Sequence, residues 1–366
     1  MSDPAARPGR PEPASPEAAG PRRDQAPAGS RRLALTAAVL AVDVGNSKTD
    51  LALIGADGRL LTAVRGPSAS HQAVGLDVAM ARLVDLAAAG AVRAGLDSSA
   101  RPLAGVGVFC VAGADFPEDI RLLARGLAAT GIVETVVVEN DTAAVLRAGS
   151  PVAWGVAVVC GAGINCSGLA PDGRRVRFAA VGETSGDWGG GLSVGMAALG
   201  AAVRGRDLRG QHTSLESLVP AFFGLKTPDA VTRAIYIGRI PEARVRELAP
   251  VAFEASRAGD AVAAGIIDHL ADEVAAMAGA AIRRLRLQRA PVHVALGGGM
   301  FRSRDPRLLG RIESGVLAIA PGATVRPIDG PPVLGSALIG LDSLGAPAAA
   351  AARARAMLTA ESVVRV

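Results

Sequence analysis

The sequence predicts an α/β protein made of two similar lobes with a cleft between them, on three observations. Short apolar runs bounded by Gly, Pro, Asn and Asp alternate with longer stretches of helical period. One opening plan, three strands joined by tight turns, occurs twice, first from Ala37 and again from Trp154. The 366 residues are 50% hydrophobic but only 3% aromatic and include 45 glycines, which suits two closely packed cores of small aliphatic side chains.

Residues 1–35 are rich in Pro, Ala and Arg and carry too little apolar surface for a core, so a disordered tail is expected there. An N-terminal lobe is expected over 36–150. VLAVDVG, TDLALIGADG and RLLTAVRG form its meander, with the ADG at 56–58 as a hairpin turn. An Ala-rich helix follows at about 72–94, then a buried strand, LAGVGVFCVAG, at 103–113. Pro117 opens a second helix, ETVVVEND at 134–141 is the next strand, and a third helix follows it.

A C-terminal lobe is expected over 151–346. WGVAVVCGAG, INCSGLAPDG and RRVRFAAVG repeat the meander, and a helical region begins near 190, with an insert at about 199–288. APVHVALGGGM at 290–300 is a strand running into glycines. A helix near 305–320, the strand ATVRPI and the helix PPVLGSALIGLDSLG complete the lobe, and 347–366 are expected as a tail.

Charge and cysteine content exclude several function classes. The formal charge is +5, but residues 1–32 hold six Arg against four acids, the chain has only Lys48 and Lys226 as lysines, and no basic run is interleaved with aromatics. Nucleic-acid binding is therefore not expected. Arg31-Arg32 before LALTAAVLAV looks like an export signal, yet the stretch lacks a small-residue cleavage site and runs straight into Asp43, Lys48 and Asp50. It reads as a first core strand, and no membrane span is expected. Three cysteines, Cys110, Cys160 and Cys166, make a disulfide framework improbable and point to the cytoplasm.

The chemistry is expected in loops. DVGNSKTD at 43–50 and CGAGINC at 160–166 both join the first two strands of a lobe. Small residues there let backbone N–H groups, with Ser47, Thr49 or Asn165, surround an oxyanion; the competing reading is that glycine merely supplies a hairpin turn. Asp43 beside the first turn suits a hydrated Mg²⁺ or a turn cap. Asp141 follows a buried strand and opens a helix, where it can take a proton from a hydroxyl or simply cap the helix, as Asn140 also could. GETSGDWGGGLSVG at 182–195 offers Glu183, Asp187 and Trp188 among six glycines, as a sugar site or as a flexible lid. GGGMF at 297–301 lets a flat base lie on the backbone or makes a tight strand-to-helix turn.

Taken in order over roughly 38–345, DVGNSKTD, VENDTAAV, CGAGINC, SGDWGGG, GGGMF and PPVLGSALIGL resemble the N-acetylglucosamine kinase and BadF/BadG/BcrA/BcrD ATPase family of the actin, sugar kinase and Hsp70 superfamily. The resemblance implies a duplicated ribonuclease-H-like, actin-like ATPase fold closing on ATP and Mg²⁺. Asp43 would serve the metal, and Gly45, Asn46, Ser47, Lys48 and Thr49 the first phosphate loop. Gly161, Gly163 and Asn165 would form the second loop, and Gly297, Gly298 and Gly299 would hold adenosine. Asp141 would be the general base, with Ser70, Gly186, Asp187 and Trp188 around the sugar. The first loop departs from the family's run of glycines at Val44 and Asn46, and Ser70 stands where the family's sugar kinases have Asn.

The expected function is ATP-dependent phosphorylation of an amino sugar, N-acetylglucosamine foremost. A second reading is an ATPase that activates a reductase through an iron-sulfur cluster shared across a dimer, which needs two suitably placed cysteines per chain. A third is a sugar or nucleotide sensor without catalysis. The helical insert offers a face for a homodimer.

Overall fold

The computed structural model describes residues 37–366, and the expected N-terminal tail lies outside the described residues. Each lobe is organised on one mixed sheet. In the first, β1 (Ala37–Val44), β2 (Thr49–Ile54) and β3 (Leu60–Gly66) form the antiparallel meander. After it come α1 (His71–Val74), α2 (Leu76–Arg93), β4 (Ala104–Val111), α3 (Pro117–Thr130), β5 (Val133–Asn140) and α4 (Asp141–Gly149). β4 and β5 add in parallel beside β1, so the carboxyl ends of β1, β4 and β5 share one edge.

The second sheet repeats this pattern. β6 (Gly155–Cys160), β7 (Ile164–Leu169) and β8 (Arg175–Arg177) are its meander. The helical layer holds α5 (Gly190–Arg206), α6 (Leu215–Phe222), α7 (Pro228–Tyr236), a 3-10 segment at Glu242–Leu248, α8 (Ala249–Arg257) and α9 (Ala261–Arg284). β9 (His293–Gly297), α10 (Pro306–Leu317) and β10 (Thr324–Pro327) follow, with β9 parallel to β6 and β10 parallel to β9. The chain then returns to the first sheet through α11 (Val333–Ser343), α12 (Ala348–Met357) and β11 (Val364–Arg365), which pairs with β3.

The cores explain this layering. Leu40, Val42, Val44, Leu51, Leu53 and Phe109 face α2 and α3, while the smaller Val39, Ala41, Ala52 and Ala63 on the opposite face receive α11 and α12. Small residues let helix and sheet approach closely there. At Gly335 of α11 a methyl group would lie 1.8 Å from the Ala144 carbonyl oxygen of α4, so the crossing of these two helices requires glycine.

Three local features differ from the sequence reading. The helix expected at 72–94 is broken by Gly75 at φ +81, which gives α1 and α2. The strand expected at 174–182 keeps only Arg175–Arg177, because β8 is an edge strand and Ala180, at φ +53, turns the chain away. Residues 347–366 are not a tail. Ala350, Ala354, Leu358 and Val363 join the core beneath α11, and β11 extends the sheet.

Candidate active site

A cleft of about 1220 Å3 opens along the edge where β1, β4 and β5 end and where β6 meets β7. Two turns face into it. In the β1–β2 turn the Gly45 N–H donates to the Lys48 carbonyl at 2.9 Å, and in the β6–β7 turn the Gly161 N–H donates to the Gly163 carbonyl at 2.9 Å. The first amides of α5 fix the second turn, Gly191 N–H donating to Gly161 O and Leu192 N–H to Ala162 O. These are N-terminal donors that the helix itself cannot satisfy.

The glycines of these turns fall into two kinds. Gly161 and Gly163 have no positive φ, and an added Cβ at either would meet nothing within 4 Å; at Gly45 it would meet only the Lys48 carbonyl at 3.5 Å. None of the described residues requires glycine there. Gly45, Gly161 and Gly163 all line the cleft, where the turn amides not already paired within the turns suit an oxyanion. Gly297 and Gly298 are different: a Cβ would lie 2.5 Å from Val145 and 2.3 Å from Cys160 O respectively, so packing alone explains them. Of the GGG run only Gly298 lines the cleft, and a Cβ at Gly299 would meet nothing within 4 Å.

Asp141 is at the head of α4. Asn140 takes the capping task, its side-chain oxygen accepting from Thr142 N at 3.1 Å and from Thr142 Oγ1 at 2.7 Å, and the Asp141 carboxylate lines the cleft. Burial, and then the charge of Asp115, push its pKa up to about 7. Asp43 also lines the cleft at the end of β1. Burial, then the charges of Asp141 and Asp50, push it up to about 8. The two carboxyls are close enough to oppose each other's ionisation.

Asp115 is a site residue that the sequence reading missed. Its Oδ1 accepts from Asn140 Nδ2 at 2.9 Å and from Asn165 Nδ2 at 3.2 Å, which ties the β4–α3 loop to β5 and to β7 of the other sheet. Asn165 is therefore committed to this network rather than free at the turn. Thr142 Oγ1 also accepts from Ser167 Oγ at 2.7 Å, a second link between the sheets. The motif VAGADFPED held a signal, since an acid after small residues at a strand end resembles the setting of Asp43.

The remaining expected residues separate clearly. Asn46, Ser47 and Lys48 line the cleft, whereas Thr49 is fully buried and its Oγ1 accepts from Ala69 N at 2.9 Å. Ser70 is also fully buried, lies outside the cleft lining, and its hydroxyl has no partner among the described residues. Gln72, two residues on, does line the cleft and donates to Gly113 O at 3.1 Å. Trp188 and Asp187 line it as well. Trp188 packs on His269 with ring centroids 4.1 Å apart, and Asp187 accepts from Ser185 Oγ. Gly186, at φ +77, serves the turn that precedes them and does not line the cleft.

The donor set fits a magnesium ion. Asp43 offers a hard oxygen ligand of raised proton affinity at the cleft, and among the described residues no group of three or more His, Cys, Asp or Glu converges on one point. Mg²⁺ binds through one or two carboxylates and keeps its waters. All three cysteines are buried and free, with burial raising each thiol and the Cys160 thiol pushed up to about 12. They are core residues, not surface thiols placed to share a cluster. No helix among the described residues is long and apolar enough to cross a membrane.

Comparisons with known proteins identify the family and the fold. Residues 40–339 match the model of the BadF/BadG/BcrA/BcrD ATPase family. The chain is 28% identical over 268 residues to the N-acetylmuramic acid/N-acetylglucosamine kinase of Clostridium acetobutylicum, covering 72% of this chain and 86% of that protein. It is 23% identical over 312 residues to the N-acetyl-D-glucosamine kinase of Dictyostelium discoideum, covering 83% and 98%. Among solved structures, a candidate N-acetylglucosamine kinase from Chromobacterium violaceum superposes with a TM-score of 0.67 at 20% identity, covering 83% of this chain and 99% of that one. The Streptomyces griseus glucokinase of the ROK family, solved with glucose and AMPPNP, superposes at 0.50 and 19% identity, covering 84% and 98%. The fold is thus the duplicated, ribonuclease-H-like fold of two-lobed sugar kinases. By the family model, which spans most of its length, this chain belongs to the BadF/BadG/BcrA/BcrD ATPase family.

Proposed function

We propose that the protein is an ATP-dependent kinase of an amino sugar, with N-acetylglucosamine as the foremost substrate. The observation that carries this reading is the Asp141 carboxylate, at the head of the helix that Asn140 caps and lining the same cleft as two turns whose glycines leave space that none of the described residues fills. The named activities of the Clostridium and Dictyostelium relatives support it.

In this mechanism the phosphate chain of ATP rests between the Gly45–Lys48 and Gly161–Gly163 turns. The sugar lies towards Gln72, Asp115, Asp187 and Trp188. Asp141 accepts the proton of the attacking hydroxyl through a side-chain oxygen, and its raised pKa suits a base working near neutral pH. Asp43 would hold Mg²⁺, which when bound offsets the charge of the phosphoryl oxygens. The Asn165–Asp115–Asn140 bridge holds the two lobes in register about the transferring group and helps to exclude water.

A phosphoryl-transfer screen of the purified protein over N-acetylglucosamine, glucosamine, N-acetylmuramic acid and glucose tests the proposal. Sugar phosphate is expected for N-acetylglucosamine, and Asp141→Asn should lower kcat about 10²- to 10⁴-fold with the KM for ATP little changed. ATP hydrolysis that no sugar accelerates would reject the kinase reading.

A further inference from the structure

One charged cluster beside the first turn is not accounted for by the mechanism above. Asp50 of β2 is fully buried and accepts from two cations at once, from Arg65 Nε at 2.6 Å and Nη2 at 2.9 Å and from Lys48 Nζ. A buried ion cluster stabilises a fold no better than well-packed apolar side chains of the same volume, so stability does not explain its presence. Geometry does. Asp43, Asp50 and Arg65 are consecutive cross-strand partners, which puts them on one face of the sheet in a row at the cleft edge.

One carboxylate cannot neutralise two cations. Asp43, the third member of the row, makes no hydrogen bond or ion pair with either cation, and Arg65 and Lys48 both line the cleft beside the Gly45–Lys48 turn with 29% of each side chain exposed. Asp50 uses Nε and Nη2 of the guanidinium, so Nη1 remains to meet a ligand, while two of the three ammonium protons of Lys48 stay unspent. A guanidinium fixed in this way loses little freedom when it grips phosphate oxygens.

We propose that Arg65 is a further phosphate-binding residue, held together with Lys48 on Asp50 so that it grips the terminal phosphoryl oxygens of ATP; the inference rests on the reading of the cleft as the ATP site. Asp50 acts through the two cations and is a positioning residue.

Calorimetric titration of the intact protein with AMP, ADP and ATP, without sugar, tests this for the wild type, Arg65→Gln, Arg65→Lys and Arg353→Gln. The last removes an exposed arginine paired with Asp57 at the opposite end of the meander and controls for net charge. The expected result is that Arg65→Gln weakens ATP about 10- to 100-fold, leaves AMP within about twofold, and that Arg65→Lys falls between. Arg353→Gln should match the wild type. Unchanged ATP affinity in Arg65→Gln overturns the proposal, and so does an equal loss for AMP, ADP and ATP. The two readings fail separately. A wild type that shows the nucleotide ladder but phosphorylates no sugar removes the kinase and keeps Arg65; a working kinase whose Arg65→Gln variant binds ATP normally removes Arg65 alone.

Discussion

Gly161→Ala should make the protein more stable and a poorer binder of ATP. In the folded chain this position has no positive φ, and the added methyl would meet no atom within 4 Å, so the substitution costs nothing in packing or backbone strain. Alanine narrows the unfolded ensemble, which contributes about 0.4–1 kcal/mol of stability. For a protein of this size that corresponds to a rise of about 1–4 °C in Tm. If the space is a phosphate seat, the methyl group keeps an oxyanion from the turn's amides. The loss of one charge-assisted hydrogen bond is worth about 1.5–3 kcal/mol, or roughly 10- to 150-fold in Kd. Differential scanning calorimetry with and without ATP measures both quantities in one experiment. Gly298→Ala provides the contrast: φ is +102 and the methyl would lie 2.3 Å from Cys160 O, so that variant should lose stability in the ligand-free state. Wild-type ATP affinity in Gly161→Ala would refute the phosphate seat, whatever its effect on Tm.

Other outcomes follow from the same structure. The kcat of the reaction should rise with pH through about 7 as Asp141 ionises, and a flat profile between pH 5 and 8 would exclude it as the base. The same carboxyls fix a sign for stability. Asp43 and Asp141 hold protons in the folded state up to about 8 and 7, far above ordinary carboxyls, so their contribution is complete below about pH 4 and is lost as pH rises through these values. Urea unfolding in chelator should show lower stability at pH 8 than at pH 5, and Asp43→Asn should reduce that difference; greater stability at pH 8 that persists in the variant would contradict the assignment. Arg355 of α12 donates to the carbonyls of Arg147, Ala148 and Ser150 at 3.0, 2.7 and 2.9 Å, closing the end of the helix that Asp141 begins. Arg355→Gln should cost about 1.5–3 kcal/mol, read by denaturant midpoint, and a loss below about 0.5 kcal/mol would show that the C-terminal helix does not brace α4.

Sequence alone determined the repeated meander and the two glycine turns, because these rest on local physics. Strand period, turn residues and the need for small side chains are all legible within a few positions, and so were Asp43 and Asp141 at strand ends. What each glycine is for was not legible. Gly161 and Gly298 read alike in the chain, and only the neighbours brought up by folding separate an open seat from a crowded turn. The assignment of Asn140 as the cap, the withdrawal of Thr49 and Ser70 into the core, and the joining of Asp115 to Asn165 across 50 residues were likewise decided by tertiary contacts. The same holds for the last residues, whose alanines spaced at i and i+4 are too weakly apolar to announce a helix but pack well once α11 presents a close surface. A sequence records which groups are available at each strand end; which of them face the cleft depends on partners distant in the chain, and those contacts form only when the two sheets are assembled.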